Sequence, residues 1–351
     1  MINTFYFSLL TSFIIVLILT PVIRNYFISK SFIEDPLEKQ AKTNNATATT
    51  KLPRGGGLSI FLGIFLSLII FLPLDKHLIG IILALCLTLL VGVWDDIHDV
   101  SPKIRLFTNL LAAVIVVSSG VGIAYISNPF GGIIDLSFLQ YTFDFFGTHS
   151  IWILSDILAI IWIVWCMNIT GWSGGVEGQL PGFVGISALF IGFVGLKYSQ
   201  DISQWPLIIF SAIVTGSYFG FLPYNFHPQS IMIGYSGKSI AGLSLAILSI
   251  LSGAKLATLF LLMAIPMLDA IFVIVRRFIQ RKSLVRSDGQ HLHHQLLKLG
   301  WSSQKIAIFY WAVSLFMGII TLYLNTQQKI IVSLFILIIF SFSLATISRR
   351  I

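Results

Sequence analysis

Apolar runs that approach the length of a membrane span recur along almost the whole sequence. A span needs about 17–25 residues, and candidate runs lie near residues 4–23, 57–74, 78–94, 106–126, 151–167, 182–197, 205–222, 239–253, 256–276, 306–324 and 330–347. Because the runs are apolar on all sides, they predict helices and not a lipid-facing barrel. Only 10% of the 351 residues are charged, against about 25% in soluble domains, which excludes a soluble enzyme or a nucleic-acid-binding domain. We predict an all-α polytopic membrane protein of about 10–11 transmembrane helices in one integral membrane domain, residues 1–351.

The basic residues are divided unevenly between the two sides of the predicted membrane protein. Of the 22 Lys and Arg residues, all but Lys76, Lys197, Lys255 and Lys329 fall on one side. The positive-inside rule places that side in the cytoplasm, with the N-terminus outside and the C-terminus cytoplasmic. The long outside connection near residues 127–150 is predicted to form a short extracytoplasmic hairpin, since apolar residues alternate there.

Three carboxylates end the third apolar run. Asp95, Asp96 and Asp99 lie within about one helical turn, where they repel each other unless a cation lies among them. Oxygen ligands without cysteine favour Mg²⁺ or Mn²⁺. The alternative is a solvated helix end, but an acidic triplet that closes an apolar span favours the metal site.

Histidines and arginines form a second polar cluster. His291, His293 and His294 follow a basic segment that includes Arg286. Imidazoles in such a setting bind a metal ion or, with arginines, a diphosphate, and a solvated basic loop is equally compatible with the pattern. The sequence leaves these three interpretations open.

Glycines form two further loops on the predicted cytoplasmic side. Arg54 precedes three glycines at the start of the second span, where backbone N–H groups can approach an anion. Residues 168–179 follow one span, lead into another and contain one carboxylate, Glu177. This loop suits a re-entrant turn that faces a substrate.

Taken together, these clusters resemble the polyprenyl-phosphate N-acetylhexosamine-1-phosphate transferases, glycosyltransferase family 4. The resemblance covers about residues 50–305, and its segments are Pro53-Arg54-Gly55-Gly56, Asp95-Asp96, Ser101-Pro102-Lys103-Ile104-Arg105-Leu106, Asn128-Pro129-Phe130-Gly131, Gly220-Phe221-Leu222-Pro223-Tyr224-Asn225, Pro266-Met267-Leu268-Asp269, Arg276-Arg277 and His291-Leu292-His293-His294-Gln295. The histidine spacing, with Asp288 before it, resembles the undecaprenyl-phosphate GlcNAc-1-phosphate transferase branch more than the peptidoglycan lipid I translocase branch.

The resemblance implies a specific reaction. A sugar-1-phosphate, expected to be N-acetylhexosamine-1-phosphate, passes from a UDP-sugar to a polyprenyl phosphate with release of UMP, as the first membrane step of cell-envelope polysaccharide synthesis. The implied partners are therefore the UDP-sugar, the polyprenyl phosphate and the lipid bilayer, with no nucleic acid; a homodimer is a further expectation. The protein would lie in the plasma (inner) membrane as a multi-pass enzyme with its active site on the cytoplasmic face.

The resemblance also implies roles for individual residues. It implies Mg²⁺, with Mn²⁺ as the alternative, bound by Asp95, Asp96, Asp99 and Glu177. Catalytic roles are implied for Asp95, Asp96 and His293. Substrate contacts are implied for Arg54, Asn168, Asn225, Arg286, His291 and His294.

Three positions depart from the family pattern. Gly171 and Gly174 replace an Asn and an Asp, and Tyr235 replaces a carboxylate that normally holds Mg²⁺; Lys238 follows three residues later. A phenol is a poor Mg²⁺ ligand at neutral pH. The alternative to an active transferase is therefore a degenerate member that binds lipid phosphate or a nucleotide without turnover. A secondary transporter is less favoured, because transport sites lie near the bilayer midplane.

Overall fold

The computed structural model describes residues 2–37, 50–128, 131–144, 148–252, 255–281 and 291–350. Within these ranges the chain forms thirteen α-helices: α1 (Ile2–Ser29), α2 (Gly56–Phe71), α3 (Lys76–His98), α4 (Pro102–Ser118), α5 (Ile153–Ser173), α6 (Gln179–Leu196), α7 (Trp205–Asn225), α8 (Gly234–Leu251), α9 (Lys255–Leu262), α10 (Ala264–Ile279), α11 (Leu292–Lys298), α12 (Ser303–Tyr323) and α13 (Thr326–Arg350).

Every predicted apolar run overlaps one of these helices. Among the described residues, seven helices are long and apolar enough to cross a membrane, namely α1, α3, α5, α6, α7, α8 and α12. Helices α9 and α10 add an eighth span if they count as one, but they meet at 91°, so the ninth predicted run is bent rather than straight. The protein is therefore a mostly helical polytopic membrane protein.

Helices α6, α7 and α8 form the centre of the molecule. In their most apolar windows 78%, 83% and 78% of residues are buried, against 28% in α1 and 33% in α12. Helix α1 packs closely on α7, because a Cβ at Gly216 would lie 2.1 Å from Leu9 O and one at Gly220 would lie 2.5 Å from Phe13 O. Small residues let membrane helices approach in this way, which gains van der Waals contact where lipid offers no hydrophobic driving force.

The start of α8 is packed between α2 and α3. A Cβ at Gly92 on α3 would lie 2.5 Å from Ser236 Cα, so a larger side chain has no room at that crossing. The same holds for Gly57 on α2, whose Cβ would clash with the Gly237 backbone. This packing fixes the N-terminus of α8 beside the acidic end of α3.

Short strands form three antiparallel pairs among the described residues. They are β1 (Ile33–Glu34) with β2 (Leu52–Pro53), β3 (Tyr125–Ser127) with β4 (Ile133–Asp135), and β5 (Gln140–Asp144) with β6 (Thr148–Trp152). The sequence predicts one hairpin near residues 127–150, and the structure has two. The fourth predicted run is also too long, because α4 ends at Ser118 and Gly120 adopts a positive φ of 103°.

Candidate active site

A cleft of about 680 Å³ opens where one end of α4, α5, α8, α10 and α11 meets the β1–β2 pair. Part of its wall is apolar, with side chains from three helices: Leu106, Leu110, Ile160, Ile161, Val164, Val273 and Ile274. The rest of the lining includes four cations, three histidines and two carboxylates: Arg54, Arg105, Lys238, Arg277, His291, His293, His294, Glu34 and Glu177. The cleft thus combines an apolar wall with groups that can bind an anion.

Arg54 lies at the centre of the acidic end of the cleft. Its guanidinium is 3.0 Å from Glu34 Oε2, 3.2 Å from Asp99 Oδ1, 3.7 Å from Asp96 and 3.8 Å from Asp95. Burial by itself lowers the pKa of Arg54, but these four carboxylates outweigh burial and raise the pKa above its ordinary value. Arg54 is therefore a permanent cation held among acids.

The backbone on either side of Arg54 is anchored to the loop before α8. The N–H of Met232 donates to Pro53 O at 2.8 Å, and the N–H of Gly56 donates to Met232 O at 3.0 Å. The short β1–β2 pair adds Glu34 to the same place. The glycine-rich segment at the second span therefore serves to hold Arg54 over the end of α3.

Asp96 caps the N-terminus of α8. Its Oδ1 accepts from the Tyr235 N–H at 2.5 Å, and its Oδ2 accepts from the Ser236 hydroxyl at 2.5 Å and the Ser236 N–H at 3.3 Å. The side chain is fully buried. A carboxylate placed against the free N–H groups of a helix start stabilises that helix, so Asp96 fixes where α8 begins.

Asp95 has a different environment. Its Oδ1 accepts from Arg105 Nε at 2.5 Å and from the Val100 N–H at 3.1 Å. Its Oδ2 is buried and has no hydrogen-bond partner, with the Arg54 guanidinium 3.8 Å away. Arg54 and Arg105 line the cleft, and the two aspartates lie behind them. Asp95 therefore holds both arginines, with a hydrogen bond to Arg105 and an ion pair without a hydrogen bond to Arg54.

The four predicted metal ligands do not fit a resident Mg²⁺ ion. Asp99 adopts a left-handed conformation at the end of α3 and pairs with Arg54 and Arg105, while Glu177 lies 2.6 Å from His227. In the described part of the chain, no group of three or more acidic, histidine or cysteine side chains is arranged to hold a metal. The guanidinium groups of Arg54 and Arg105 neutralise the acidic cluster, and its oxygens do not surround a space for a metal ion.

Tyr235 lies beneath Arg105. Its hydroxyl donates to Asn109 Oδ1 at 3.1 Å, and Arg105 Cζ is 5.0 Å from its ring centroid. A guanidinium at that distance from an aromatic ring has a favourable cation–π interaction. The phenol that replaces a carboxylate thus helps to hold Arg105 against Asp95.

Asp269 on α10 positions the histidine cluster. Its Oδ2 is 2.9 Å from His291 Nδ1, and its Oδ1 accepts from the Leu292 N–H at 2.9 Å. His291 also stacks on Trp172, with ring centroids 6.1 Å apart. One carboxylate therefore holds both the first histidine and the start of α11.

The second histidine is buried against the glycine-rich loop. A Cβ on Gly175 would lie 1.9 Å from His293 Nε2, so this ring needs glycine at position 175. Burial, with smaller contributions from His294, His291 and Lys238, lowers the pKa of His293 well below its usual value. His293 is consequently neutral at pH 7, and Lys238 supplies positive charge beside it.

Gly174 leaves space for the Lys238 side chain. A Cβ on Gly174 would approach Lys238 Cε to 3.0 Å, whereas a Cβ on Gly171 would meet nothing within 4 Å. Two of the three departures from the family pattern thus adjoin cationic side chains: Gly174 adjoins Lys238, and Tyr235 adjoins Arg105. Gly171 is explained by no contact in the structure.

The remaining predicted residues are placed as follows. Asn168 lines the cleft and donates to Val164 O at 2.7 Å within its own helix. Asn225 also lines the cleft, but its amide accepts from the Gly178 N–H and donates to Ile231 O, which ties two loops together. Arg286 lies outside the described residues.

Sequence reasoning missed five residues of this site. Arg105 and Asp269 belong to segments on which the family resemblance is based, so those motifs could have predicted both residues as part of the site. Trp172 lies in the predicted glycine-rich loop. No sequence pattern marks Glu34 or Asn109 as a site residue, because only the fold brings Glu34 to Arg54 and Asn109 to Tyr235.

Comparison with known proteins identifies the family of this chain. The family model described as glycosyl transferase family 4 matches residues 78–253. That range contains Asp95, Asp96, the glycine-rich loop and the start of α8.

Named relatives cover most of the chain. A probable undecaprenyl-phosphate N-acetylglucosaminyl 1-phosphate transferase of Bacillus subtilis is 26% identical over 340 residues, 95% of this chain and 88% of the relative. A decaprenyl-phosphate N-acetylglucosaminephosphotransferase of Mycobacterium tuberculosis is 29% identical over 301 residues, 77% of this chain and 71% of the relative. A phospho-N-acetylmuramoyl-pentapeptide-transferase of Bacillus subtilis is 24% identical over 329 residues, 91% of this chain and 97% of the relative. The predicted resemblance is confirmed.

Proposed function

The chain belongs to glycosyl transferase family 4, and from this premise we infer that it transfers a sugar-1-phosphate to a polyprenyl phosphate. The sugar is N-acetylhexosamine, since the two N-acetylglucosamine relatives are 26% and 29% identical to this chain. The donor is the UDP-sugar and the released product is UMP. The reaction begins the assembly of a cell-envelope polysaccharide at the membrane.

One observation carries this proposal: a single cleft has an apolar wall made by membrane helices and cationic side chains at its end. The acceptor requires both, because a polyprenyl phosphate has a long apolar chain and an anionic head. The wall from Leu106 to Val164 adjoins Arg105. We assign the acceptor chain to this wall and its phosphate to Arg54 and Arg105, which can form charge-assisted hydrogen bonds.

The donor diphosphate is assigned to the opposite part of the cleft. Lys238 and Arg277 are the cations there, and His291 and His294 add donors. Neutral His293 can donate or accept a hydrogen bond without adding charge. Among the predicted substrate-binding residues, we assign Asn168 to the donor sugar, because it is a neutral polar group that lines the cleft.

The chemical step is a displacement at phosphorus. An oxygen of the lipid phosphate forms a bond to the phosphorus that bears the sugar, and the bond from that phosphorus to the UMP oxygen breaks. UMP leaves with the electron pair. The lipid phosphate reacts as its dianion, so the step needs no proton acceptor. Asp95 holds Arg105 in place to bind that phosphate. Cationic groups around the diphosphate stabilise the charge that develops in such a transition state.

Mg²⁺, or Mn²⁺, stays a prediction. The described carboxylates do not fit a resident ion, and no step above uses one. A divalent ion that enters with the donor diphosphate would need few protein ligands. UMP release with and without EDTA distinguishes an ion carried by the substrate from catalysis by the chain's own cations.

We also propose which side of the membrane each end of the chain faces and how many helices cross it. The positive-inside distribution supports a cytoplasmic cleft, an external N-terminus and a cytoplasmic C-terminus in the plasma membrane. Each predicted run overlaps a helix, and this supports about 10–11 spans when the shorter apolar helices α2, α4 and α13 cross as well. The homodimer stays a prediction.

The direct test is UMP release by the purified full-length protein in nanodiscs that contain polyprenyl phosphate. Each of several UDP-sugars is supplied in turn, and we expect release with a UDP-N-acetylhexosamine. Omission of the lipid phosphate is the control and should abolish release. If no donor gives UMP beside an active relative, the chain is a family member that binds its ligands without turnover. The departures from the family pattern at positions 171, 174 and 235 favour that alternative.

A further inference from the structure

The two hairpins between α4 and α5 lie on the face opposite the cleft. Helix α4 begins at the cleft, where Arg105 lines it, and runs away from it to Ser118. Helix α5 returns from Ile153 to Asn168 and Trp172, which line the cleft again. The residues between the two helices are therefore at the far end of the membrane-spanning helices.

The second hairpin, β5–β6, has one apolar and one polar face. Its register pairs Tyr141 with Ile151 and Thr142 with Ser150. Because side chains alternate between the faces of a strand, Tyr141, Phe143 and Ile151 share one face, which also includes position 149, a histidine that pairs with Phe143 in the register. The Tyr141 and Phe143 rings stack with centroids 6.2 Å apart, and the Thr142 and Ser150 hydroxyls meet at 3.4 Å on the other face.

The apolar face is exposed to the surroundings of the protein. Tyr141 is 61% exposed and Ile151 is 43% exposed. The first hairpin provides the contrast, because Ile126 on β3 packs against the core of the molecule. The second hairpin thus extends beyond the packed helices.

We propose that the apolar face of β5–β6 docks on the lipid interface of the membrane leaflet opposite the cleft. β6 ends at Trp152 and α5 begins at the next residue, so no linker separates the hairpin from a membrane span. Tyr and Trp concentrate where a membrane meets water, and Tyr141 lies on the apolar face, whereas Trp152 lies on the other face at the start of α5. An isolated two-stranded hairpin is marginally stable in water, so a lipid surface under its apolar face would stabilise it.

The charge of the hairpin agrees with an interfacial position. Between Gln140 and Trp152, Asp144 carries the one acidic group of the described residues, and it lies on the polar face with Thr142. The apolar face can therefore enter the interface without taking an acidic group out of water. Docking would also hold the start of α5 at a fixed depth in the membrane.

Spin labels at neighbouring positions test this proposal. The native thiols are removed by Cys86→Ser and Cys166→Ala, and single cysteines replace Tyr141 or Ile151 on one face and Thr142 or Ser150 on the other. The full-length protein is placed in nanodiscs, and each nitroxide is probed with oxygen, which concentrates in lipid, and with a water-soluble nickel chelate. Thr142→Cys and Ser150→Cys are the matched controls, since they sit one residue away on the same strands.

We expect the ratio of oxygen to nickel accessibility to favour lipid at positions 141 and 151 and to reverse at positions 142 and 150. Equal nickel accessibility at all four positions would place the hairpin in water and overturn the proposal. Protection from both reagents at position 151, with spin–spin broadening, would show that a second copy covers the face instead of lipid and would overturn it as well.

Discussion

At the scale of single residues, Asp95 and Asp96 are neighbours in the chain but have different tasks in the fold. Asp96 uses both carboxylate oxygens to cap α8, whereas Asp95 keeps Oδ2 without a hydrogen bond. The sequence predicted the pair as one catalytic and metal-binding unit. The structure separates a residue that caps a helix from one that holds the two cleft arginines.

Substitution of the two aspartates should therefore have different effects. Asp95→Asn removes the negative charge that holds Arg54 and Arg105 at the cleft, and we expect UMP release to fall by at least ~10²-fold while Asp96 still caps α8. Asp96→Ala leaves the start of α8 and the Ser236 hydroxyl without their acceptor, which should cost about 1–3 kcal/mol of unfolding free energy and lower the melting temperature. Calorimetry and a UMP assay on the same preparations measure both. Full activity of Asp95→Asn would contradict the assignment.

Lys238 offers a second residue-scale prediction. It supplies positive charge beside neutral His293, so Lys238→Met should weaken UDP binding by ~10–100-fold, on the scale of a lost charged hydrogen bond. Lys238→Arg should retain most of the affinity. Isothermal titration in the presence of EDTA measures the dissociation constant without a metal contribution.

The matched control for Lys238 is Lys298→Met on α11. Lys298 is exposed and does not line the cleft, so its loss removes the same charge without the proposed contact. Equal weakening by the two variants would mean that the net charge of this face, and not a specific contact, attracts the nucleotide.

At the scale of elements, the glycine-rich loop between α5 and α6 is shaped by the groups packed on it. Gly175→Ala would place a methyl group 1.9 Å from His293 Nε2, so the ring must move and we expect a loss of most UMP release. Gly171→Ala, in the last turn of α5 just before this loop, is the control, since its Cβ meets nothing within 4 Å. Activity assays on both variants, with melting temperatures to confirm folding, give the comparison. Similar activities for the two variants would remove His293 from the site.

Element boundaries differ most from prediction where backbone geometry decides them. Helix α4 ends early because Gly120 turns the chain, and the ninth apolar run bends by 91° between α9 and α10. Hydropathy cannot detect either event, because both segments remain apolar through the break. The bend matters for the site, since α10 brings Asp269 and Arg277 to the cleft.

At the scale of the whole molecule, the uneven distribution of Lys and Arg predicts which face meets the cytoplasm. A cysteine at Ser150 should react with a membrane-impermeant maleimide added to intact cells, because the hairpins lie opposite the cleft. A cysteine at Lys298, on the cleft side, should react only after permeabilisation. Labelling of Lys298→Cys in intact cells would reverse the proposed topology.

The sequence by itself determined the membrane environment, the helical class and the family. Apolar runs of span length leave few alternatives in lipid, because every backbone polar group must be satisfied within a helix or a closed barrel. The ordered motifs around Asp95, Asn225 and His293 identified the family. Tertiary structure decided which of these groups meet and what each is left to do. It placed Glu34 on Arg54, Asn109 on Tyr235 and Asp269 on His291. These contacts join residues far apart in the chain, and their geometry depends on how closely the helices pack, which hydropathy does not record.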